Sequence, residues 1–449
     1  MQVPGCFLTA TRTVAPWTRK QMSSAVVSFR PRRRVQSLAP AEARERRARR
    51  RIGVVWGLLI LNALTFYSGF PLVVPIPHRV GEVITQGALP LALLLALTVN
   101  RRVMVRPNVF LCLVSLLVLD ALLTTLLPQH LGTLYRSFRL AEFVAVLWLL
   151  TPWWGRRDML LLRCHLFWLS VLLGSALLGI LVRPGKALAG GRLTDVFWPI
   201  PATEVAHYAA VATGLVVVLW FGRLLPGRVT LFVAIIAGGT LLLSHTRTAL
   251  IAMLAGILVA GMSLFAASDR VRRFFGAAGV IVAIGAITVA TVVTTWLARG
   301  EQAQELVSLT GRTDFWGLVV HLQRTRFQEI FGFGLSNASV DGLPIDSNWL
   351  AAYMEQGLFG VIVCAAMLLF LLVAAFFQPL GIKRALALFL ITYSLVASFT
   401  QVGFADATTY LLEITLAASL LVPSSRGDGR HEGLAHSGPS HPRELLKCN

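Results

Sequence analysis

The sequence TGRTDFW, residues 310–316, lies in the one long polar segment between two strongly apolar blocks of the chain. The segment runs from Leu297 to Leu350, and it also contains GFG (332–334) and DSNWL (346–350). Because the blocks on both sides have the composition of membrane-spanning helices, we interpret this segment as an extracytoplasmic loop that covers an active site.

The composition of the chain indicates a membrane protein. Of its 449 residues, 56% are hydrophobic and only 14% are charged, and the mean hydropathy is +0.70. Soluble proteins carry roughly 25% charged residues. We therefore predict an all-α polytopic membrane protein rather than a soluble domain.

Much of the net charge of +20 lies near the N-terminus. The first 51 residues contain thirteen Arg or Lys residues against two acids, Glu42 and Glu45. We expect residues 1–51 to form a disordered cytoplasmic tail that contacts anionic lipid headgroups, and we expect no nucleic-acid partner. The five cysteines lie in apolar runs or in the tails, so neither a disulfide framework nor a cysteine metal site is predicted.

About twelve segments are long and apolar enough to span a membrane, for which about 20 residues are needed. The transmembrane domain is predicted over 52–422 and a second disordered cytoplasmic tail over 423–449. Arg and Lys residues alternate between the loops so that the long loops at about 183–203 and 298–348 lie outside. The spans are predicted at about 52–72, 82–99, 108–127, 137–154, 160–182, 204–222, 228–244, 247–267, 273–297, 349–377, 384–401 and 404–422.

Several arginines lie on the predicted outer side, where the charge rule expects few. Arg139, Arg192, Arg247 and Arg312 adjoin apolar spans, and few acids appear near them in the sequence. A guanidinium keeps its charge and makes two-point contacts with phosphate oxygens. A diphosphate joined to a polyprenyl chain would suit both environments, although a phospholipid or an anionic metabolite would fit this pattern too.

Two of these arginines have simpler explanations that stay open. Arg247 could extend its side chain to the phosphates of the outer leaflet. Arg312 could belong to a helix-capping turn in which Thr310 or Thr313 is the cap. Residues 312–323 have a helical apolar face, which suits a helix along the membrane surface and a helix packed on the bundle equally well.

Arg139 also has a local explanation. Glu142 follows it by one helical turn, so the two side chains could form an ion pair to which Asp120 of the preceding span contributes.

Other chemistries lack sequence support. The outer loops contain no His-x-x-x-His, Glu-x-x-His or Asp-x-Asp motif, and the chain has neither a P-loop nor a dinucleotide-binding fingerprint. We therefore expect no metal and no nucleotide cofactor.

Three segments resemble, in order and in membrane placement, the O-antigen ligase / O-antigen polymerase family of bacterial membrane glycosyltransferases. The first is GRLT (191–194) with the proline-rich stretch after it, and the second is SHTRTAL (244–250). The third is GRTDFW (311–316), followed by GFG (332–334) and EQGLFG (355–360). The resemblance covers roughly residues 55–422.

The resemblance implies a multispanning helical fold in the bacterial inner membrane and a metal-independent reaction. A saccharide would pass from undecaprenyl diphosphate to a hydroxyl of a glycan, lipid or protein acceptor at the extracytoplasmic face. Arg192 and Arg247 would bind the diphosphate, with Arg139 as a lesser candidate. Arg312 would contact the diphosphate or fix the geometry of the loop.

The sequence departs from the family pattern at two places. Asp346 stands where the family has a histidine that is proposed as the catalytic base, and Pro201-Ala202 stands where the family has Pro-Asn. A carboxylate can also accept a hydroxyl proton. The competing interpretation is that Asp346 caps the following helix, with Ser347 or Asn348 sharing that role.

Two other classes of function remain open at this stage: a transporter or flippase of an anionic solute or lipid-linked glycan, and a structural assembly partner. A transporter places charges near the bilayer midplane on broken helices. In this sequence the charges gather at the outer ends of the spans, which favours chemistry at one face.

Overall fold

The computed structural model of the chain describes residues 32–67, 69–126, 131–156, 158–266, 268–288, 316–317, 321–336, 339–340 and 343–423. Contacts divide the chain between Arg47 and Ala48, and the described part of the first unit, residues 32–47, is helical. The described helices are α1 (Arg32–Ala63), α2 (His78–Val99), α3 (Val109–Leu126), α4 (Leu131–Leu150), α5 (Leu160–Val182), α6 (Pro184–Ala187), α7 (Ala202–Phe221), α8 (Gly227–Leu243), α9 (Arg247–Phe265), α10 (Asp269–Thr288), α11 (Arg326–Phe331), α12 (Asn348–Phe377), α13 (Ile382–Ala397) and α14 (Thr409–Leu421).

Short elements connect these helices. Two 3₁₀ turns lie at Thr151–Trp153 and Ala189–Gly191. A two-residue antiparallel ribbon joins β1 (Ser339–Val340) to β2 (Leu343–Pro344) within the long loop. The fold is therefore helical, as the sequence predicts.

Among the described residues, five helices are long and apolar enough to cross a bilayer: α2, α5, α7, α9 and α12. Large apolar side chains such as Leu181, Val83 and Phe377 lie exposed on the outside of the bundle. Such an extended apolar surface suits contact with lipid rather than water. Each of the twelve predicted segments contains a helix over its described part, but the count of twelve spans stays a prediction.

The bundle is packed around α7. This helix contacts α5, α8, α9 and α13, and almost all of its residues are buried. Small residues permit this close packing: a Cβ on Gly214 of α7 would lie 1.9 Å from the Phe389 ring of α13, and one on Gly256 of α9 would lie 2.8 Å from it. Glycine at helix interfaces allows such approaches within membranes.

The described chain differs from the predicted N-terminal tail. Residues 32–51 belong to α1, whereas we expected residues 1–51 to be disordered. The Ala, Arg and Glu residues over 41–51 all have high helix propensity, which explains the extension of the helix into the basic stretch. Residues 1–31 and most of the C-terminal tail, 424–449, lie outside the described ranges.

The helix ends that were predicted to face outside lie together. Arg139, near the start of α4, donates to Asn62 at the end of α1, and Leu193 donates its backbone N–H to Leu243 at the end of α8. We call this set of helix ends and connections the outer end, after its predicted side.

The ends that were predicted to face inside also lie together. Gly155, before α5, donates its backbone N–H to Ser419 near the end of α14, and Arg270 of α10 donates to the carbonyl of Trp220 near the end of α7. These contacts are compatible with the predicted alternation, which stays a prediction.

Candidate functional site

A pair of glycines turns the chain so that the first arginine motif reaches the α8–α9 turn. Gly190 and Gly191 have φ values of 68° and 71°, a left-handed conformation that glycine adopts without steric cost. After this turn, the N–H of Leu193 donates to the carbonyl of Leu243 at 3.0 Å. The loop is thereby fixed to the end of α8.

Arg192 contacts the residues that immediately precede Arg247. Its Nε donates to the Ser244 carbonyl at 3.1 Å, and its Nη2 donates to Thr246 Oγ1 at 3.2 Å. Thr246 is the N-cap of α9, and its hydroxyl contacts Arg192 instead of capping the helix. Two arginines that are 55 positions apart in the sequence thus lie at one helix N-terminus, where the helix dipole favours anions.

Arg139 contacts backbone and side-chain oxygens at Asn62 and in the connection before α14. Its Nε donates to Asn62 Oδ1 at 3.1 Å, and its Nη2 donates to the carbonyls of Asn62 at 2.8 Å and Ala407 at 2.9 Å. Its Nη1 lies 3.9 Å from Asp406 Oδ2. The acid beside the guanidinium is therefore Asp406, and the considered ion pair with Glu142 is not found.

Asp120 does not contribute to that ion pair either. It is 3% exposed, and both carboxylate oxygens are without a hydrogen-bond partner in the described part of the chain.

The segment that Arg139 holds, residues 398–408 between α13 and α14, is irregular and largely buried. Buried backbone polar groups need partners, and side chains supply them here. Asn348 Oδ1 accepts from the N–H groups of Gly403 at 3.1 Å and Phe404 at 2.7 Å, while Arg139 donates to Ala407. We call residues 398–408 the α13–α14 segment.

Asp346 lies close in sequence to Asn348, the residue that binds this segment. Asp346 is half-buried and precedes Ser347, the N-cap of α12, by one residue. Asp346 therefore precedes the N-cap residue of α12, and the segment that Arg139 contacts is bound two residues after Asp346, by Asn348.

The GFG motif packs on a break in α12. Gly357 has φ 63° and ψ −162°, which interrupts the helix. Two carbonyls beside the break accept hydrogen bonds from the GFG motif. Phe333 N–H donates to the Met354 carbonyl at 2.9 Å, and Gly334 N–H donates to the Glu355 carbonyl at 2.9 Å. The EQGLFG and GFG motifs thus form one structural unit.

Glycine is required on both sides of this contact. A Cβ at Gly332 would lie 2.3 Å from the backbone carbon of Glu355, and one at Gly357 would lie 2.4 Å from that of Ile330. Both glycines also have positive φ. Any larger residue would separate the loop from the helix.

Glu355 and Arg136 are further polar residues of the outer end whose contacts sequence reasoning missed. Glu355 is 5% exposed, and its Oε1 accepts from Ser336 N–H at 2.8 Å and from Ser336 Oγ at 3.1 Å. Arg136 donates from Nη1 to the Ser336 carbonyl. The available sequence signals were Glu355, two residues before the helix-breaking Gly357, and Arg136, about one helical turn before Arg139.

Acids are more numerous at the outer end than the sequence suggested. Besides Glu355 and Asp406, the end contains Asp195 and Glu204. Tyr67 is 40% exposed, and its partial burial, followed by the charge of the Glu204 carboxylate, raises the pKa of Tyr67 to about 12. The outer arginines therefore lie in a mixed rather than a purely cationic environment.

The fourth predicted arginine, Arg312, lies outside the described residues, as do most of residues 312–323. The structure thus groups the remaining predicted residues in two places. Arg192 contacts the residues directly before Arg247 at the α8–α9 turn. Arg139 contacts the α13–α14 segment, which Asn348, two residues after Asp346, also binds.

A second polar cluster lies within the bundle and was not predicted. His207 Nε2 is 2.9 Å from Glu413 Oε1, and His165 Nε2 is 3.8 Å from the same oxygen. Tyr393 OH lies 2.8 Å from His207 Nδ1, and Trp56 Nε1 lies 3.3 Å from His165 Nδ1. We call these five residues the core cluster.

The core cluster corrects one sequence argument. We expected charges to gather at the outer ends of the spans, yet Glu413 and His165 are fully buried between helices. Each is an isolated polar residue in an apolar run, which was the available signal, but they lie 248 positions apart in the sequence.

No family model matches the chain, and no curated protein matches it in sequence. The two groups of outer-end residues and the core cluster therefore carry the functional argument.

Proposed function

We propose that the protein is a lipid-linked glycan glycosyltransferase of the O-antigen ligase or polymerase type. It would transfer a saccharide from undecaprenyl diphosphate to an acceptor hydroxyl at the extracytoplasmic face of the bacterial inner membrane. The observation that carries the proposal is the contact of Arg192 with Ser244 and Thr246, directly before Arg247. Two motifs of the sequence resemblance thereby become one cationic site at a helix N-terminus.

The chemistry requires a partner for the leaving diphosphate. Arg192 and Arg247 supply guanidinium groups that suit phosphate oxygens, and the N–H groups at the start of α9 favour the same anion. Apolar helix faces beside the outer end suit the polyprenyl chain. In this proposal Asp346 orients or deprotonates the acceptor hydroxyl, and Arg312 contacts the diphosphate or shapes the loop. No metal or nucleotide is invoked.

Arg139 is assigned a supporting role in this proposal. Its contacts with Asn62 and Ala407 fix the α13–α14 segment, which Asn348 also binds. Because Asp346 lies two residues before Asn348, Arg139 would position Asp346 rather than contact the diphosphate.

Conservative arginine variants test the diphosphate site. Arg192→Lys and Arg247→Lys keep the charge but lose the planar two-point contact with phosphate. We expect each to lower transfer about 10²-fold, as for the loss of one donor to a developing anion, and to accumulate lipid-linked donor in cells. Arg79→Lys, an exposed outer-end residue, is the control.

Two outcomes are decisive for that experiment. Wild-type transfer in both Arg192→Ala and Arg247→Ala would return the two residues to the explanation of side chains that reach lipid phosphates. The accumulated species also identifies the product, because single repeats on lipid indicate a polymerase and full-length polymer on lipid indicates a ligase.

Asp346→Asn tests the proposed base. Asparagine keeps the size of the side chain but cannot accept a proton, and a positioned base contributes about 10²–10⁴ in rate. We expect normal membrane levels, bound donor and a large loss of transfer. Transfer at the wild-type rate would place the base elsewhere or remove the need for one.

The proposed arrangement of twelve spans has its own test. A cysteine at position 325 should react with an impermeant reagent from outside, and one at position 225 should react only from inside. Reaction of both from one side would reject the arrangement.

The core cluster favours a second candidate function, a transporter or flippase. Buried ionisable groups together with a broken helix, here α12 at Gly357, are features of transport proteins. Proteoliposomes that contain an undecaprenyl-diphosphate-linked saccharide distinguish the two. Movement of the saccharide across the bilayer without a new glycosidic bond would favour transport.

A further inference from the structure

The core cluster joins five helices at a point without solvent access. Trp56, His165, His207, Tyr393 and Glu413 come from α1, α5, α7, α13 and α14, and each is at most 1% exposed. Ionisable side chains in such places are rare within membrane bundles and mark functional sites by default. The question is which ligand this site holds.

The hydrogen bond from Trp56 determines which nitrogen of a neutral His165 ring carries the proton. Trp56 Nε1–H can only donate, so His165 Nδ1 is its acceptor. A neutral His165 then carries its proton on Nε2, the atom that faces Glu413 Oε1 at 3.8 Å. Glu413 thus faces an N–H group on this side.

The second ring completes the arrangement. His207 Nδ1 lies 2.8 Å from Tyr393 OH, and its Nε2 lies 2.9 Å from Glu413 Oε1, a hydrogen-bond distance. Both imidazole rings therefore direct Nε2 at the same carboxylate oxygen.

The charges that face the cluster do not balance without an added proton. Among the described residues, seven titratable groups from four helices surround it. They are His165 from α5, Glu204, His207 and Tyr208 from α7, Tyr393 from α13, and Tyr410 and Glu413 from α14. In the described part of the chain, no Arg or Lys forms an ion pair with Glu413. A buried carboxylate between two neutral rings would be an uncompensated charge, which is costly in a bundle interior.

We propose that Glu413, His165 and His207 bind one proton within the bundle. Electroneutrality then has two forms, an ionised Glu413 beside one imidazolium or a protonated Glu413 between two neutral rings. A metal ion is a poorer candidate, since no described group of three ligand-type side chains is arranged to hold one. The proposal is independent of the transfer reaction proposed above.

A line of hydroxyl and carboxyl groups leads from the cluster to the outer end. His207 and Tyr208 are neighbours on α7, and Tyr208 OH donates to Glu204 Oε2 at 3.2 Å. Glu204 acts on the pKa of Tyr67, which lies partly exposed in the connection between α1 and α2. The ring centroid of Tyr208 lies 5.4 Å from that of His207, and the ring centroid of Tyr410 lies 4.0 Å from it. In this proposal the bound proton exchanges with the outer end by way of Tyr208 and Glu204.

The number of bound protons can be measured directly on the full chain in lipid nanodiscs. Protein with ¹⁵N-labelled histidine and ¹³C-carboxyl-labelled glutamate gives imidazole and carboxyl NMR signals, assigned with His165→Gln, His207→Gln and Glu413→Gln. At neutral pH we expect either one imidazolium or one protonated Glu413 carboxyl. An ionised Glu413 with two neutral rings, or with two imidazolium rings, would overturn the proposal.

Two further variants test the route and control for packing. In Glu204→Gln the proton should remain bound while its exchange with solvent, read from the line shape of the His207 signals, becomes at least several-fold slower. Unchanged exchange would reject the route through the outer end. Ser394→Ala, which removes a buried hydroxyl of α13 that has no hydrogen-bond partner among the described residues, should leave both readouts unchanged.

Discussion

The outer-end arginines and the core cluster differ in how their polar and charged groups are paired within the protein. Arg139 and Arg192 direct their guanidinium groups mainly at backbone carbonyls and hydroxyls of irregular segments. His207 and Glu413 instead contact each other between regular helices. A guanidinium cannot lose its charge, whereas an imidazole and a carboxylate can share a proton and remain neutral together.

This difference indicates where permanently charged groups and groups that can become neutral are located in the bundle. Permanent charge lies near the helix ends, where loop carbonyls are plentiful and water or phosphate is near. Groups that can become neutral lie in the interior, where a permanent charge would be costly. The comparison therefore predicts that the outer end depends on guanidinium geometry and that the core depends on proton position.

Removal of the Arg139 guanidinium should have the largest effect. Arg139→Met keeps the apolar stem but leaves the carbonyls of Asn62 and Ala407 without these donors, at about 1–3 kcal/mol for each buried acceptor. We expect a loss of about 3 kcal/mol or more in stability, measured by thermal unfolding in detergent. Arg139→Lys should recover part of it, and Arg79→Met should be neutral. An unaltered melting temperature for Arg139→Met would show that the α13–α14 segment does not need this support.

The Tyr393 hydroxyl should matter less. Tyr393→Phe keeps the ring but removes the hydroxyl group that lies 2.8 Å from His207 Nδ1, so a loss of about 1–2 kcal/mol is expected. The adjacent change Ser394→Ala is the control and should cost little. Equal stabilities of the two variants would mean that the core cluster is held by packing rather than by its hydrogen bonds.

The pH response of Asp195 should be the smallest effect. Burial raises the pKa of Asp195 despite bonds from Ser175 and Phe197, so the folded chain holds this proton more tightly than the unfolded chain. Its contribution to stability is complete below the ordinary aspartate pKa of about 3.9 and is lost as pH rises through the raised folded pKa.

Asp195→Asn removes that dependence. The variant should match or exceed wild-type stability at neutral pH, with a shift in melting temperature on the order of 2 °C. Glu82→Gln, a half-exposed carboxyl group at the outer end whose Oε2 lies 3.5 Å from His78 Nδ1, is the control. A variant that loses stability at neutral pH would show that the ionised carboxylate is needed for its hydrogen bonds.

The helices could be predicted well because apolar composition and length fix them locally. The predicted segment 160–182 matches α5 at both ends, and 247–267 matches α9 closely. The segment 404–422 was less accurate, since α14 begins at Thr409 and the preceding residues are irregular. Arg139 and Asn348, which supply backbone partners there, are far away in the sequence, so local pattern could not reveal the loss of helix.

By itself, the sequence determined a helical chain with several membrane-crossing helices and placed arginines at one predicted face. Only the tertiary structure decided that Arg192 reaches the residues before Arg247, that Arg139 supports backbone, and that His165, His207 and Glu413 converge. The physical reason is that composition and periodicity act over neighbouring residues. Side-chain contacts between helices depend on packing, which small residues such as Gly214 and Gly256 permit across the bundle.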